Sequence, residues 1–259
     1  MESAALPVIS IRNLRKSYGD KQVLKGINLE IYPGQVIGYI GPNGAGKSTT
    51  VKVLTGLIND YEGEVLFYGK NIQEDIISIK AKIGYVPENA EIYEVLTPLE
   101  YLDFVGKLYG MEETRIAERA MKLLTAFGIH SNADQRMDTF SKGMRQKVLL
   151  ISGIIHNPEI IILDEPLSGL DANAVMMVKE LIALLAQDGK TIFYCSHMMD
   201  VVEKVSDRIL LINNGEIIAD GSFEELRAGG NLTLEHIFAK LTGKEESGKD
   251  AHHVLDALR

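Results

Sequence analysis

Gly41-Pro42-Asn43-Gly44-Ala45-Gly46-Lys47-Ser48-Thr49 decides how this chain folds. The spacing is Gly-x4-Gly-Lys-Ser, the pattern of a P-loop, which wraps phosphate groups. The apolar run before it, Val36-Ile37-Gly38-Tyr39-Ile40, predicts a buried strand, and residues 49–57 predict a helix. Strand, glycine-rich loop and helix in that order are the context the motif needs. Gly41, Gly44 and Gly46 let the backbone turn so that successive N–H groups face a polyphosphate. The positive end of the following helix adds to that field. Lys47 supplies a mobile cation for the β- and γ-phosphates, and the Ser48 hydroxyl is suited to ligate Mg2+. A glycine-rich turn with a chance Lys-Ser is the plain alternative, and both flanks disfavour it.

Further along, Ile160-Ile161-Ile162-Leu163-Asp164-Glu165 reads as an apolar strand ending in two acids. In a sheet built round a phosphate loop, an acid at a strand's C-terminal end sits beside that loop. Asp164 is therefore read as a Mg2+ ligand, direct or through water. Glu165 is read as the general base that polarises an attacking water. Adjacent side chains on a strand point to opposite faces, which predicts separate jobs for the two acids. Alone, an Asp-Glu pair is as often a solvated loop start; the phosphate loop gives it weight.

Outward from these two stretches, residues 8–11 and 23–31 predict strands around a turn at Tyr18-Gly19-Asp20. Residues 61–69 predict a turn and a third strand. Short connections between them predict an antiparallel layer. Residues 76–82 predict a short helix, and Ile83-Gly84-Tyr85-Val86 another strand. Thr97-Pro98-Leu99-Glu100 then has the form of a capping box with proline at the first helical position. Helices are predicted from there to Lys107 or Leu108, over 115–127, and from a Ser141 cap to Ile155. From residue 160, strands (160–164 and 191–195) alternate with helices (173–187 and 198–205), the pattern of a parallel sheet with helices on its faces. Asn213-Asn214-Gly215 between residues 208–212 and 216–219 marks a hairpin. The expected class is α/β: a P-loop NTPase core of mainly parallel sheet flanked by helices, with an antiparallel β layer and an inserted helical lobe. One domain is expected over 1–259. Its core with the β layer takes 8–96 and 157–226, the helical lobe 97–156, and a C-terminal helix and tail 227–259, polar from 243 to 250.

Composition narrows the function classes. With 46% hydrophobic and 24% charged residues the chain is globular in character. A net charge of -9 disfavours general nucleic-acid binding. The one cysteine, Cys195, excludes a disulfide framework or a cysteine-built zinc cluster and reads as a small buried side chain. Residues 1–7 lack the basic-then-apolar form of a signal peptide. The apolar runs fall short of the ~18 residues of a membrane span, so any membrane role is expected to come through a partner.

Together these motifs resemble the ATP-binding subunits of ABC transporters, over residues 8–238 and in the family's order. Tyr18 matches the aromatic residue that stacks on adenine, with its π-face as the means. Gly41 to Thr49 matches the Walker A loop. Phe140-Ser141-Lys142-Gly143-Met144-Arg145-Gln146 aligns with the signature Leu-Ser-Gly-Gly-Gln-Arg-Gln. Asp164 and Glu165 match the Walker B acids, Ser168-Gly169-Leu170-Asp171 the D-loop, and His197 the switch histidine. A lone histidine is more often structural; its place after the two acids reverses that.

The resemblance implies an ATPase with ATP and Mg2+ as cofactors. Nucleotide contacts would come from Tyr18, Gly41, Pro42, Asn43, Gly44, Ala45, Gly46, Lys47, Ser48, Thr49, Glu88, Ser141 and Gly143. The metal would lie at Ser48, Asp164 and Glu88, and catalysis would fall to Glu165 and His197. It also implies a head-to-tail dimer, homodimer or with a close relative, in which Ser141, at a helix N-cap, closes over the other subunit's P-loop.

Two departures stand out. Glu88 replaces the usual glutamine and adds negative charge near the phosphates. Lys142 and Met144 replace glycine and glutamine in the signature, with the Lys142 charge expected to favour the nucleotide. These variants look like the branch serving exporters of the type-two permease group. The implied partners are an integral membrane permease and a second ATP-binding subunit, with no nucleic acid. The implied location is cytoplasmic, peripheral on the inner face of the cell membrane. A soluble ABC-type ATPase driving an assembly or repair machine is the competing reading. It is weakened by the single P-loop and the lack of coiled-coil or zinc insertions. A regulatory subunit that binds ATP without hydrolysing it is disfavoured by Glu165.

Overall fold

Continuous apolar runs in this chain become strands buried on both faces, and half-polar runs become strands of a second sheet. The computed structural model describes residues 6–88, 92–227, 230, 232–243 and 258. The chain runs β1 (Ile9–Tyr18), β2 (Lys21–Ile31), β3 (Val36–Ile40), α1 (Lys47–Leu54), β4 (Glu62–Phe67), β5 (Lys70–Asn71), α2 (Ile76–Lys80) and β6 (Ile83–Val86). Three helices follow: α3 (Pro98–Leu108), α4 (Glu113–Ala126) and α5 (Lys142–Ile154). Next come β7 (Ile160–Asp164), α6 (Ala172–Gln187), β8 (Thr191–Ser196), α7 (Met199–Val205), β9 (Arg208–Asn213), β10 (Glu216–Gly221), α8 (Phe223–Arg227) and α9 (Leu234–Thr242).

The larger sheet has the order β10-β9-β3-β8-β7-β6. Every pairing from β9 to β6 is parallel, and only β10 is antiparallel to its neighbour. The smaller sheet, β2-β1-β4-β5, is antiparallel throughout. The two-residue period of a strand divides the larger sheet's side chains between two apolar clusters. Ile37 and Tyr39 of β3, Ile160 and Ile162 of β7, and Phe193 and Cys195 of β8 pack with the antiparallel sheet and α1. Ile40, Ile161, Leu163, Ile192 and Tyr194 pack with the helices. Leu102, Ile116 and Leu124 of α3 and α4 belong to that same cluster, so the helical lobe shares its core with one face of the sheet.

Several predicted boundaries move, each for a local reason. β1 continues past residue 11 to Tyr18, through register shifts around Asn13, whose φ is 49°. Its polar residues Arg12, Asn13 and Arg15 hid that extension from a hydrophobicity reading. α1 begins at Lys47, because Gly46 is its left-handed N-cap, and stops before Gly56, which is left-handed too (φ 62°). The α3 start is as expected. Thr97 Oγ1 accepts from the Glu100 N–H at 3.2 Å, and the Thr97 N–H donates to Glu100 Oε2 at 2.8 Å. Asn214 (φ 48°) and Gly215 (φ 83°) close the β9–β10 hairpin in the primed-turn conformation. Of the polar tail expected over 243–250, only Gly243 lies among the described residues.

Candidate functional site

Parallel strands gather their C-terminal ends on one edge of the sheet, and connecting loops carry the chemistry there. Ile40, the last residue of β3, is in register with Ser196 of β8, and Asp164 of β7 with Cys195 of β8. β8 therefore stands between the phosphate-loop strand and the acid-bearing strand. A cavity of about 650 Å3 opens at this edge. Pro42, Asn43, Gly44, Gly46, Lys47, Ser48 and Thr49 line it together with Glu88, Glu165 and His197, and with Lys21 and Val23 of β2.

The loop takes its shape from its own glycines and backbone hydrogen bonds. Gly44 (φ 80°) and Gly46 (φ 114°) take backbone conformations that side-chain-bearing residues avoid. Gly41 serves differently: a Cβ there would lie 2.2 Å from the Ile212 carbonyl oxygen, so it permits close packing rather than a left-handed turn. The Ala45 N–H donates to the Pro42 carbonyl at 3.1 Å, and the Ala45 carbonyl accepts from the Gly215 N–H at 3.0 Å. Lys47 is 7% exposed, and its Nζ donates to the Gly41 and Pro42 carbonyls at 2.7 and 3.3 Å. A buried cation lying along a ring of backbone groups suits a polyphosphate.

Asp164 is buried, and its Oδ1 has no hydrogen-bond partner. Burial, with the negative charges of Glu88 and Glu165, pushes its carboxyl up to about 6, against the pull of Lys47 and Ser48. An orphaned carboxylate oxygen near a serine hydroxyl and two further acids is a donor set that fits Mg2+. That ion takes one or two carboxylates and leaves its other positions to water and phosphate.

Glu165 departs from the expectation of two acids on one strand. β7 ends at Asp164, and Glu165 stands beyond it with φ 47°, its N–H donating to the Cys195 carbonyl at 2.9 Å. The separate orientation of the two acids comes from this backbone turn and not from strand alternation. Two groups fix its carboxylate. Oε1 is 2.8 Å from Nδ1 of His197, and Oε2 accepts from Ser196 Oγ at 3.2 Å. Ser196 Oγ in turn accepts from the Met198 N–H at 3.0 Å. The His197 side chain is 66% exposed on the cavity rim, and Glu165 is 8% exposed.

Ser141 and Gly143 lie elsewhere. They line a second pocket of about 370 Å3 with Lys142, Met144, Lys147, Gly169 and Asp171, none of which lines the first. Ser141 Oγ caps α5 by accepting from the Met144 N–H at 3.2 Å. Lys142 Nζ donates to Ser168 Oγ of the same chain at 2.9 Å. Tyr18 is exposed at the end of β1 with the Lys16 ammonium 4.8 Å from its ring centre, and it does not line the cavity. The sequence reading missed Ser196, Gln146 (Nε2 donating to the Pro166 carbonyl at 3.0 Å) and the cavity walls Lys21 and Val23. The one signal for Ser196 was a hydroxyl directly before His197; the others left none.

Comparison with known proteins agrees with this geometry. A family model described as ABC transporter matches residues 24–168. The linearmycin resistance ATP-binding protein LnrL of Bacillus subtilis is 36% identical over 88% of this chain and 74% of its own length. The Nod factor export ATP-binding protein I of Cupriavidus metallidurans is 35% identical over 85% of this chain and 72% of its own. Among solved structures, an ATP-binding subunit of an ABC transporter superposes with a TM-score of 0.85 at 28% identity, covering 91% of this chain and 99% of that one. A dimeric ATP-binding cassette in a post-hydrolysis state with ADP and Pi superposes with a TM-score of 0.76 at 27% identity, covering 83% of this chain and 98% of that one.

Proposed function

The chain belongs to the ABC transporter family as an ATP-binding, ATP-hydrolysing subunit, and from that premise we propose that it powers export through a separate integral membrane permease. One observation carries the ATPase part of the reading: the cavity holding Lys47, Ser48 and Glu165 and the pocket holding Ser141 and Gly143 are separate sites on one chain. Each is half of an ATP site, and two chains placed head to tail complete both.

In each completed site the P-loop amides and Lys47 take the phosphates of ATP. Ser48 and Asp164, with Glu88 nearby, would hold Mg2+, which would supply positive charge against the β- and γ-phosphates. Glu165 accepts the proton of the attacking water, held on target by Ser196 and His197. Ser141 and Gly143 of the second subunit cap the γ-phosphate with a helix N-terminus. Loss of that phosphate removes the contact and lets the subunits part, a ligand-biased two-state element. The helical lobe and the Glu88 loop pass the motion to the permease.

Export is supported by the relatives named for resistance and for export. No helix among the described residues is long and apolar enough to cross a membrane, which fits a subunit held on the inner face by its permease. The second ATP-binding subunit is a copy of this chain or a close relative. Nucleic acid is not among the partners, given the net charge of -9.

Affinity purification from gently solubilised native membranes tests this. A polytopic membrane protein in stoichiometric amount is the expected companion. A soluble assembly with no membrane protein would move the chain to the non-transport machines and leave its ATP chemistry intact. Lys47→Ala is expected to abolish ATP binding or hydrolysis, read by phosphate release.

A further inference from the structure

Lys142 stands where the family signature has glycine, and its geometry gives it a job that the family pattern does not contain. Its Nζ donates to Ser168 Oγ at 2.9 Å. Its methylenes lie on Gly169: a Cβ there would meet Lys142 Cδ at 2.9 Å and Cγ at 3.0 Å, and Gly169 is left-handed at φ 79°. Next to it, Gly143 leaves room for the Gly169 carbonyl, which would lie 2.8 Å from a Cβ at 143. One turn on, Gln146, 4% exposed, donates Nε2 to the Pro166 carbonyl at 3.0 Å. The first turns of α5 thus grip residues 166–169 at three places.

That loop has fixed ends. It leaves Glu165 on one side and reaches Asp171 on the other, whose Oδ1 caps α6 by accepting from the Ala174 N–H at 2.9 Å. We infer that Lys142 is a positioning residue: it clasps Ser168 and Gly169 to the helix end bearing Ser141 and Gly143, so that the two half-sites of one chain move as one unit. A displacement of the α5 N-terminus on meeting a phosphate is then passed through residues 166–169 to Glu165, which serves the other site. The coupling between sites rests on the shared-site reading above, whereas the clasp of Lys142 on Ser168 does not. The rival role, direct contact of the Lys142 ammonium with nucleotide, makes opposite predictions.

The test compares wild type, Lys142→Met, Lys142→Arg, Ser168→Ala and the Lys142→Met/Ser168→Ala double variant. Methionine keeps the apolar stem and removes the donor; arginine keeps both. Lys142 is exposed, so folding is not at stake. Without nucleotide, amide hydrogen exchange over residues 166–171 is expected to quicken roughly tenfold in Lys142→Met and in Ser168→Ala, and no further in the double variant. With Mg-ATP, cooperativity between the two sites is expected to fall together in those variants, from a Hill coefficient above one to about one, with ATP affinity unchanged and Lys142→Arg close to wild type. Additive effects, or a several-fold loss of ATP affinity in Lys142→Met with Ser168→Ala unchanged, would overturn the clasp. If wild type fails to hydrolyse ATP, the functional reading falls, and hydrogen exchange still decides the clasp.

Discussion

Glu165 shows how a single residue acquires its chemistry from contacts the sequence does not display. Its identity as the second acid after an apolar strand was readable from local order. The left-handed backbone that turns it off the strand, and the Ser196 and His197 groups that hold its two oxygens, were not, because those contacts join residues about thirty positions apart. The same distance in sequence hid Lys142 from Ser168. The P-loop was legible as a motif, since backbone cradling of phosphate demands glycine at fixed intervals, but the packing role of Gly41 and the helix start at Lys47 were not. Ser196→Ala removes one hydrogen bond from Glu165, the proposed base, and leaves the P-loop untouched. A fall in kcat of about tenfold is expected, with ATP affinity unchanged and recovery in Ser196→Thr. Steady-state phosphate release with parallel nucleotide titration checks it, and a change confined to KM would contradict it.

At the scale of elements, the α3 cap and the β9–β10 turn were written in short codes that local physics enforces. β1 was cut short by its polar, bulged middle. The junction between the lobe and the sheet was not legible at all. There the His156 ring stacks on Tyr109 with centroids 3.6 Å apart and planes 7° from parallel. Its Nε2–H donates to the Ile83 carbonyl of β6 at 3.1 Å, and Nδ1 is buried without a partner. Burial lowers this imidazole from 6.5 to about 4. Above pH 6.5 it is neutral in both folded and unfolded chains, and its contribution to stability is complete. Between pH 6.5 and about 4 the unfolded chain takes up a proton that the folded one refuses, so stability falls with pH, by up to about 2 kcal/mol after solvent screening. His156→Phe keeps the stack and removes the titration. Its melting temperature is expected to fall less than that of wild type between pH 7.5 and 4.5. Equal falls would show that another group sets the slope. Thr97→Ala removes one arm of the α3 capping box and is expected to cost about 1 kcal/mol in urea unfolding; an unchanged midpoint would mean the lobe does not depend on that cap.

For the whole molecule, the decisive feature is that the cavity lined by Lys47 and Glu165 and the pocket lined by Ser141 and Gly143 are separate within one chain. β3, β7 and β8 gather the P-loop, Glu165 and His197 at one cavity, while the α5 N-terminus lines the other pocket. The alternation of strands and helices announced the parallel sheet, but their order, with β8 between β3 and β7, became visible only in three dimensions. On the proposed function, a chain so built binds ATP in one cavity and completes the site with a second chain. Glu165→Gln preserves the shape of the proposed base position while removing its charge and one of its two acceptor oxygens, so hydrolysis is expected to slow at least a hundredfold with binding retained. Light scattering on a sizing column, with and without Mg-ATP, reads the consequence directly. A Glu165→Gln chain of 28.6 kDa is expected to run as a monomer without nucleotide and at twice that mass with it. A monomer that holds ATP at full occupancy, or rapid turnover by the variant, would contradict the shared-site account.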